Sequence, residues 1–198
     1  MKKIRKRPKL GDVLYTKVPN GYKIYQWVFK DTRWGNLVFV FSGLYNGVPN
    51  NVQEIVSAQE GYLMSMPVGK ACRIGFSTII DNYEIPPNCV FPEFYIDWIS
   101  YYEGGICFLD VTISEFETLR QVGYYPKVKC MNDLPEVHRN TKLISGIYSP
   151  DWILYLFDID FNLNKMERRN LGENASKYAT LYHEILGKNN SFKQKNEE

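Results

Sequence analysis

The sequence predicts an α+β protein: a strongly bent antiparallel sheet, or a small partly open barrel, spanning residue 11 to about 111, with short helices and a helical C-terminal appendage packed on it. Three observations predict it. Gly11 to Tyr45 (GDVLYTKVPNGYKIYQWVFKDTRWGNLVFVFSGLY) is rich in β-branched and aromatic residues and is broken by turn chemistry. Further short apolar runs follow up to Val111, separated by Gly and Pro clusters. Beyond residue 149 the spacing becomes helical, with capping residues at its start.

In Val18-Pro19-Asn20-Gly21, proline suits the second position of a type I turn, asparagine the third, and glycine the left-handed position of a bulged hairpin loop. Val13–Val18 and Tyr22–Phe29 are therefore expected to pair. The second of these strands alternates Tyr22, Ile24, Gln26 and Val28 with Lys23, Tyr25, Trp27 and Phe29, so both faces carry apolar groups. Leu37–Phe41 is apolar on both faces and is expected to be central. Between them, Lys30–Asn36 is a polar connection carrying Trp34 and Gly35, expected to run over the surface where contacts are made. Asn51 and Glu54 are spaced as a capping pair for a short helix over VQEIVSA. Lys70–Ile80, containing CRIGFSTII, is the expected fourth strand, and Asn82–Pro92 with its three prolines an extended connection. Tyr95–Tyr101 and Gly105–Val111 read as strands around Glu103-Gly104-Gly105.

Ser114-Glu115-Phe116-Glu117 fits a capping box and predicts a helix ending at Gly123. The chain then turns irregular and polar. This divides it into a β-rich unit with a basic arm (1–125), a helical appendage (126–188) and a tail expected to be disordered (189–198). In the appendage, Ser149-Pro150-Asp151 places a cap, a first-turn proline and a first-turn acid ahead of WILYLF, which favours helix over strand. Glu173–Leu186 carries a stripe of Ala175, Tyr178, Leu181, Tyr182 and Ile185, with Gly187 as the expected stop.

A chain of 198 residues can bury roughly 70% of its unfolded surface, enough for a core without metal or disulfides. Its net charge of +2 is unevenly placed. Lys2, Lys3, Arg5, Lys6, Arg7 and Lys9 outweigh it and leave the remaining residues at −4, so the body is acidic and argues against a nucleic-acid partner. The arm itself reads as a solvated terminus. No apolar run approaches the ~20 residues of a membrane helix, and no apolar segment follows the basic residues as in a secretory signal, so a cytoplasmic protein without membrane partners is expected. Cys72, Cys89, Cys107 and Cys130 are widely spaced and read as buried small hydrophobes; no metal or other cofactor is expected.

The motifs of catalysis are not found. His138 and His183 stand in different segments without ligand-type neighbours. Asp158-Ile159-Asp160-Phe161-Asn162 imitates the opening of a calcium loop, but Leu163 replaces the required glycine and Arg169 the bidentate glutamate. With no nucleophile elbow or phosphate-binding glycine loop either, no catalytic residue is assigned and an enzyme is not expected. Tyr15, Tyr25, Trp27, Trp34, Tyr45, Trp98, Tyr101 and Tyr102 make more aromatics than one core needs, and Trp and Tyr are the usual anchors of protein interfaces. Most of them are expected in the core, and an acidic body with this surplus suits a protein-binding module.

The basic opening followed by Gly11-Asp12-Val13, the hairpin ending in Gly21-Tyr22 and the aromatic strand Tyr25–Phe29 resemble the start of the immunity protein 26 family of bacterial polymorphic-toxin systems. Gly75–Pro87 with Ile85-Pro86-Pro87, and Phe91-Pro92-Glu93-Phe94, are similar to that family's later strand, proline turn and P-x-F segment. The resemblance covers roughly residues 5–125. It implies an intracellular protein that neutralises a co-encoded toxin by binding it, and it carries over no catalytic residue. The residues expected at the toxin interface are Arg33, Trp34, Tyr45, Tyr101 and Tyr102. Gly-Asp-Val also opens the small barrels of PemK-like endoribonuclease toxins, but the Arg-Pro pair usual on their next strand is replaced here by Asn36-Leu37-Val38. A small-barrel nucleic-acid binder using exposed aromatics and the arm is the third alternative.

Overall fold

Turn chemistry at Pro19-Asn20 sets the first register. β1 (Asp12–Val18) and β2 (Gly21–Asp31) pair antiparallel, with Val18 opposite Gly21 and Val13 opposite Gln26. β3 (Gly35–Phe41) lies between β2 and β4 (Gly61–Ser65), as its two apolar faces require. The computed structural model describes residues 7–31, 35–58, 60–87, 89, 94–99, 105–110, 121–125, 143–145, 150–160 and 172–194. α1 (Val52–Ala58) is the short helix expected over VQEIVSA, and the Asn51 amide donates to the Glu54 carboxylate at its start.

Lys70–Ile80 is not one strand. Val68–Arg73 is a helix, α2, which buries Val68 and Ala71 one turn apart, and β5 (Thr78–Asn82) follows after Gly75 turns the chain at a φ of +75°. β5 pairs with β1, so β5-β1-β2-β3-β4 forms a five-stranded antiparallel sheet. β6 (Phe94–Ile99) and β7 (Gly105–Asp110) occupy the two expected strand positions. β8 (Gln121–Tyr125) corrects another expectation: the helix opening at Ser114 does not reach Gly123, because Gln121–Tyr125 pairs with β7 and sets Gly123 opposite Phe108. Residues 114–120 lie outside the described residues.

β9 (Leu143–Ser145) has only three residues but sits inside the sheet, parallel to both β4 and β6. It joins the five-stranded part to β6-β7-β8, and among the described residues the nine strands run open from β5 to β8 without closing into a barrel. The α+β class therefore holds, in its open-sheet form.

α3 (Pro150–Asp158) and α4 (Gly172–Gln194) are helices, as the Ser-Pro-Asp cap and the apolar stripe predict. Ile153 through Phe157 are all buried, which a helix apolar on every side demands. They pack with Tyr178 of α4 against Leu14, Tyr25, Val38, Val40, Tyr62 and Met64 of the sheet. Packing thus runs across the boundary expected at residue 125. α4 also continues through Gly187, since one interior glycine costs a helix only about 1 kcal/mol. Residues 189–194, expected in a disordered tail, are helical.

On the opposite face, Val13, Ile24 and Phe41 are covered by Val52 and Val56 of α1, and a smaller cluster joins Val28, Leu37 and Leu63. Among the described residues, no helix is long and apolar enough to cross a membrane.

A candidate partner-binding face

Strand alternation puts Val13, Tyr15 and Lys17 of β1 on the α1 side of the sheet, opposite Gln26, Ile24 and Tyr22 of β2. Val13 and Ile24 are sealed, while Tyr15 and Tyr22 stay half-buried with their rings edge to face, 5.5 Å apart. After Phe41 the chain turns at Gly43 and returns beside β2. There Tyr22 N–H donates to the Tyr45 carbonyl at 2.8 Å, and Tyr45 N–H returns a bond to Tyr22 at 3.0 Å. The close approach requires a glycine at position 21, where a Cβ would stand 2.5 Å from the Tyr45 carbonyl oxygen. Burial pushes the Tyr45 phenol above its ordinary pKa, and the Asp160 charge adds to the rise.

Phe39 joins this face half-buried, its ring 5.4 Å from that of Phe41. Tyr83 joins it from the other end, with its N–H bonded to the Gly11 carbonyl at 3.0 Å. Gln26 fixes that end: its amide nitrogen donates to the carbonyls of Gly11, Tyr83 and Glu84 at 3.2, 3.0 and 3.3 Å. Among the described residues the exposed large hydrophobics are Leu10 and Val48. The Leu10 carbonyl accepts from the side-chain amide of Asn82, beside Tyr83, and Val48 falls between Tyr45 and α1 in the chain. Tyr15, Phe39, Tyr45 and Tyr83 therefore pack around a closed apolar plug, with Tyr22 against Tyr15 and exposed Lys17 alongside.

Set against protein-family models, curated proteins and solved structures, the chain matches none. Function is therefore read from this face and from the sequence resemblance.

Of the residues expected at an interface, Tyr45 lies on the face, and Arg33, Trp34, Tyr101 and Tyr102 lie outside the described residues. Tyr22, Phe39 and Tyr83 were not singled out from sequence. Tyr22 was the findable one, since alternation pairs it with the charged Lys17 at a strand end and so marks a half-exposed site.

The helix-covered face holds two polar clusters. Tyr25 O–H donates to Ser77 Oγ, and Thr16 Oγ1 stands 3.0 Å from the Tyr25 hydroxyl and 3.3 Å from Ser77 Oγ. All three are buried, and burial pushes the Tyr25 phenol well above its usual range against the pull of its hydrogen-bond partners. Such a cluster satisfies its own polar groups inside the core and touches no solvent.

The second cluster is ionic. Lys23 has no exposed surface, and its Nζ donates to the Gly43 carbonyl at 2.9 Å and to the Asp160 carboxylate. Burial lowers its pKa, while Asp160 pulls the other way. The neighbouring Asp158 accepts from Asn20 N–H at 3.2 Å, from its side-chain amide at 3.0 Å and from the Tyr178 hydroxyl at 2.9 Å. The two aspartates of the calcium-like stretch thus hold the end of α3 to the sheet. Among the described residues, no three of His, Cys, Asp and Glu gather as a metal site. Cys72 and Cys89 are free thiols, each pushed up to about 11 chiefly by burial.

Proposed function

We propose that the protein is an intracellular bacterial immunity protein that binds a co-encoded protein toxin and neutralises it, using the face of Tyr15, Tyr22, Phe39, Tyr45 and Tyr83. The observation that carries this reading is the half-burial of four aromatics, Tyr15, Phe39, Tyr45 and Tyr83, around one plug, with half-buried Tyr22 edge to face on Tyr15. Each ring is already packed along one side, so a partner that covers the other gains contact area while ordering few new rotamers. Interfaces draw most of their affinity from such anchors, and Lys17 supplies part of a polar rim. Arg33, Trp34, Tyr101 and Tyr102 are proposed as further contacts. Tyr25 and Lys23, two polar groups whose environments are altered by burial, are engaged inside the helix-covered side, which suits a scaffold role for them.

The test is to co-express the chain with the product of the adjacent reading frame and to measure the complex by calorimetry. Tyr22→Ala and Tyr45→Ala should each weaken it by ~2 kcal/mol, roughly thirtyfold in Kd. No complex with that product would end the toxin-binding reading. Cleavage of single-stranded or structured RNA by the purified chain would replace it with the endoribonuclease alternative.

A further inference from the structure

We infer that Asp160 is a positioning residue for the partner-binding face: carried on the helix side of the sheet, it fixes the 42–48 loop that presents Tyr45 on the other. Its bearing on binding rests on the toxin-binding reading; the coupling between the two sides does not.

Gly43 is gripped on both sides of its Cα. Its N–H donates to Asp160 Oδ2 at 2.8 Å, and its carbonyl accepts from Lys23 Nζ at 2.9 Å, while Lys23 and Asp160 are paired with each other. Side-chain packing at Gly43 does not shape this turn: its φ is +83°, and apart from its chain neighbours no residue comes within 4 Å of where its Cβ would stand. The next two residues divide between the faces. Leu44 packs on the helix-side cluster and Tyr45 on the opposite one, where it exchanges both backbone bonds with Tyr22, the neighbour of Lys23. The loop therefore straddles the end of the sheet, and the Gly43 clamp is its hinge to the C-terminal helices.

The clamp is costly in isolation, which argues that its geometry matters. Asp160 takes a φ of +53°, a region aspartate visits more readily than most non-glycine residues but which persists only where its surroundings over-determine it. Lys23 has none of its side chain in solvent and Asp160 about a third. A buried ion pair adds little net stability; it selects one arrangement, because misalignment leaves a charge stranded in the core. An aliphatic residue at position 23 would fill the core without selecting anything.

Backbone amide exchange on the full chain, read by NMR, tests the coupling without a partner. Asp160→Asn removes the charge and keeps an acceptor for Gly43, and the double variant Lys23→Met/Asp160→Ala leaves no stranded charge. In both, the Gly43, Tyr45 and Tyr22 amides should exchange at least tenfold faster relative to the amides of the β2–β3 ladder. Asp158→Asn, which loosens the Asn20 anchor, should leave that ratio unchanged. If all amides speed up together, or Tyr22 and Tyr45 keep their wild-type ratio, Asp160 is only a stability element and the inference falls. With the adjacent gene product as probe, the double variant should bind at least tenfold more weakly. A loosened loop with unchanged affinity would overturn the role in binding, whereas no complex even for the wild type would count against the toxin-binding reading and leave the coupling to be judged on exchange.

Discussion

Phe157→Ala asks whether the C-terminal helices are an attachment or part of the main core. Phe157 has no exposed surface, and its ring lies 5.5 Å from that of Tyr25 in the middle strands of the sheet. Removing a fully buried phenyl ring costs about 3–5 kcal/mol in lost transfer energy and residual cavity. The floor of this cavity is a hydrogen-bonded sheet that cannot collapse into it, which places the expected loss near ~4 kcal/mol. In a domain of 198 residues each kcal/mol moves the thermal midpoint by ~2–4 °C, so the melt should fall by ~8–16 °C. Circular dichroism in the far ultraviolet, together with the near-ultraviolet tyrosine signal, should report one shared transition, and urea unfolding should keep its slope. A loss below ~1 kcal/mol would refute the reasoning. So would two transitions with the sheet melting at the wild-type midpoint, because helix and sheet would then be separate units.

The same physical account predicts other responses. Gly21→Ala would place a methyl 2.5 Å from the Tyr45 carbonyl oxygen and should cost ~1–3 kcal/mol, with lost exchange protection at Tyr45; a change below ~0.5 kcal/mol would mean the 42–48 loop does not sit against the hairpin. Stability should fall on the alkaline side through the two half-buried thiols. Cys72 and Cys89 rise from 9.0 to about 11, so the folded state holds these protons more tightly than the unfolded chain; their contribution is whole below pH 9 and is lost as pH rises to 11. Urea midpoints should therefore be lower at pH 10.5 than at pH 8, and Cys72→Ala/Cys89→Ala should flatten the slope in part, because the raised phenols of Tyr25 and Tyr178 add their own loss above pH 10. An unchanged midpoint between pH 8 and 10.5 would contradict this.

Features governed by chemistry within a few residues are legible in the sequence by itself. Pro19-Asn20-Gly21 specifies the first hairpin and its register, and the apolar character of Leu37–Phe41 makes β3 central. Asn51 with Glu54 marks the short helix, and Ser149-Pro150-Asp151 resolves an apolar run whose period is ambiguous. Elements whose state depends on a distant partner are not legible. Gly61–Ser65 and Leu143–Ser145 are too short to carry a period and become strands because β3 pairs with the first and β4 and β6 flank the second, and Gln121–Tyr125 is a strand because β7 offers an edge. Of the residues proposed at the interface, Tyr45 could be suspected as an aromatic beyond the needs of the core, but the turn that leads to it is at Gly43, held by Lys23 and Asp160. Alternation alone puts Lys23 on a face with Tyr25 and Trp27, where a charge has no place. Only the fold brings Asp160 there, from 137 residues along the chain, and a buried cation is tolerable solely when its counter-charge arrives with it.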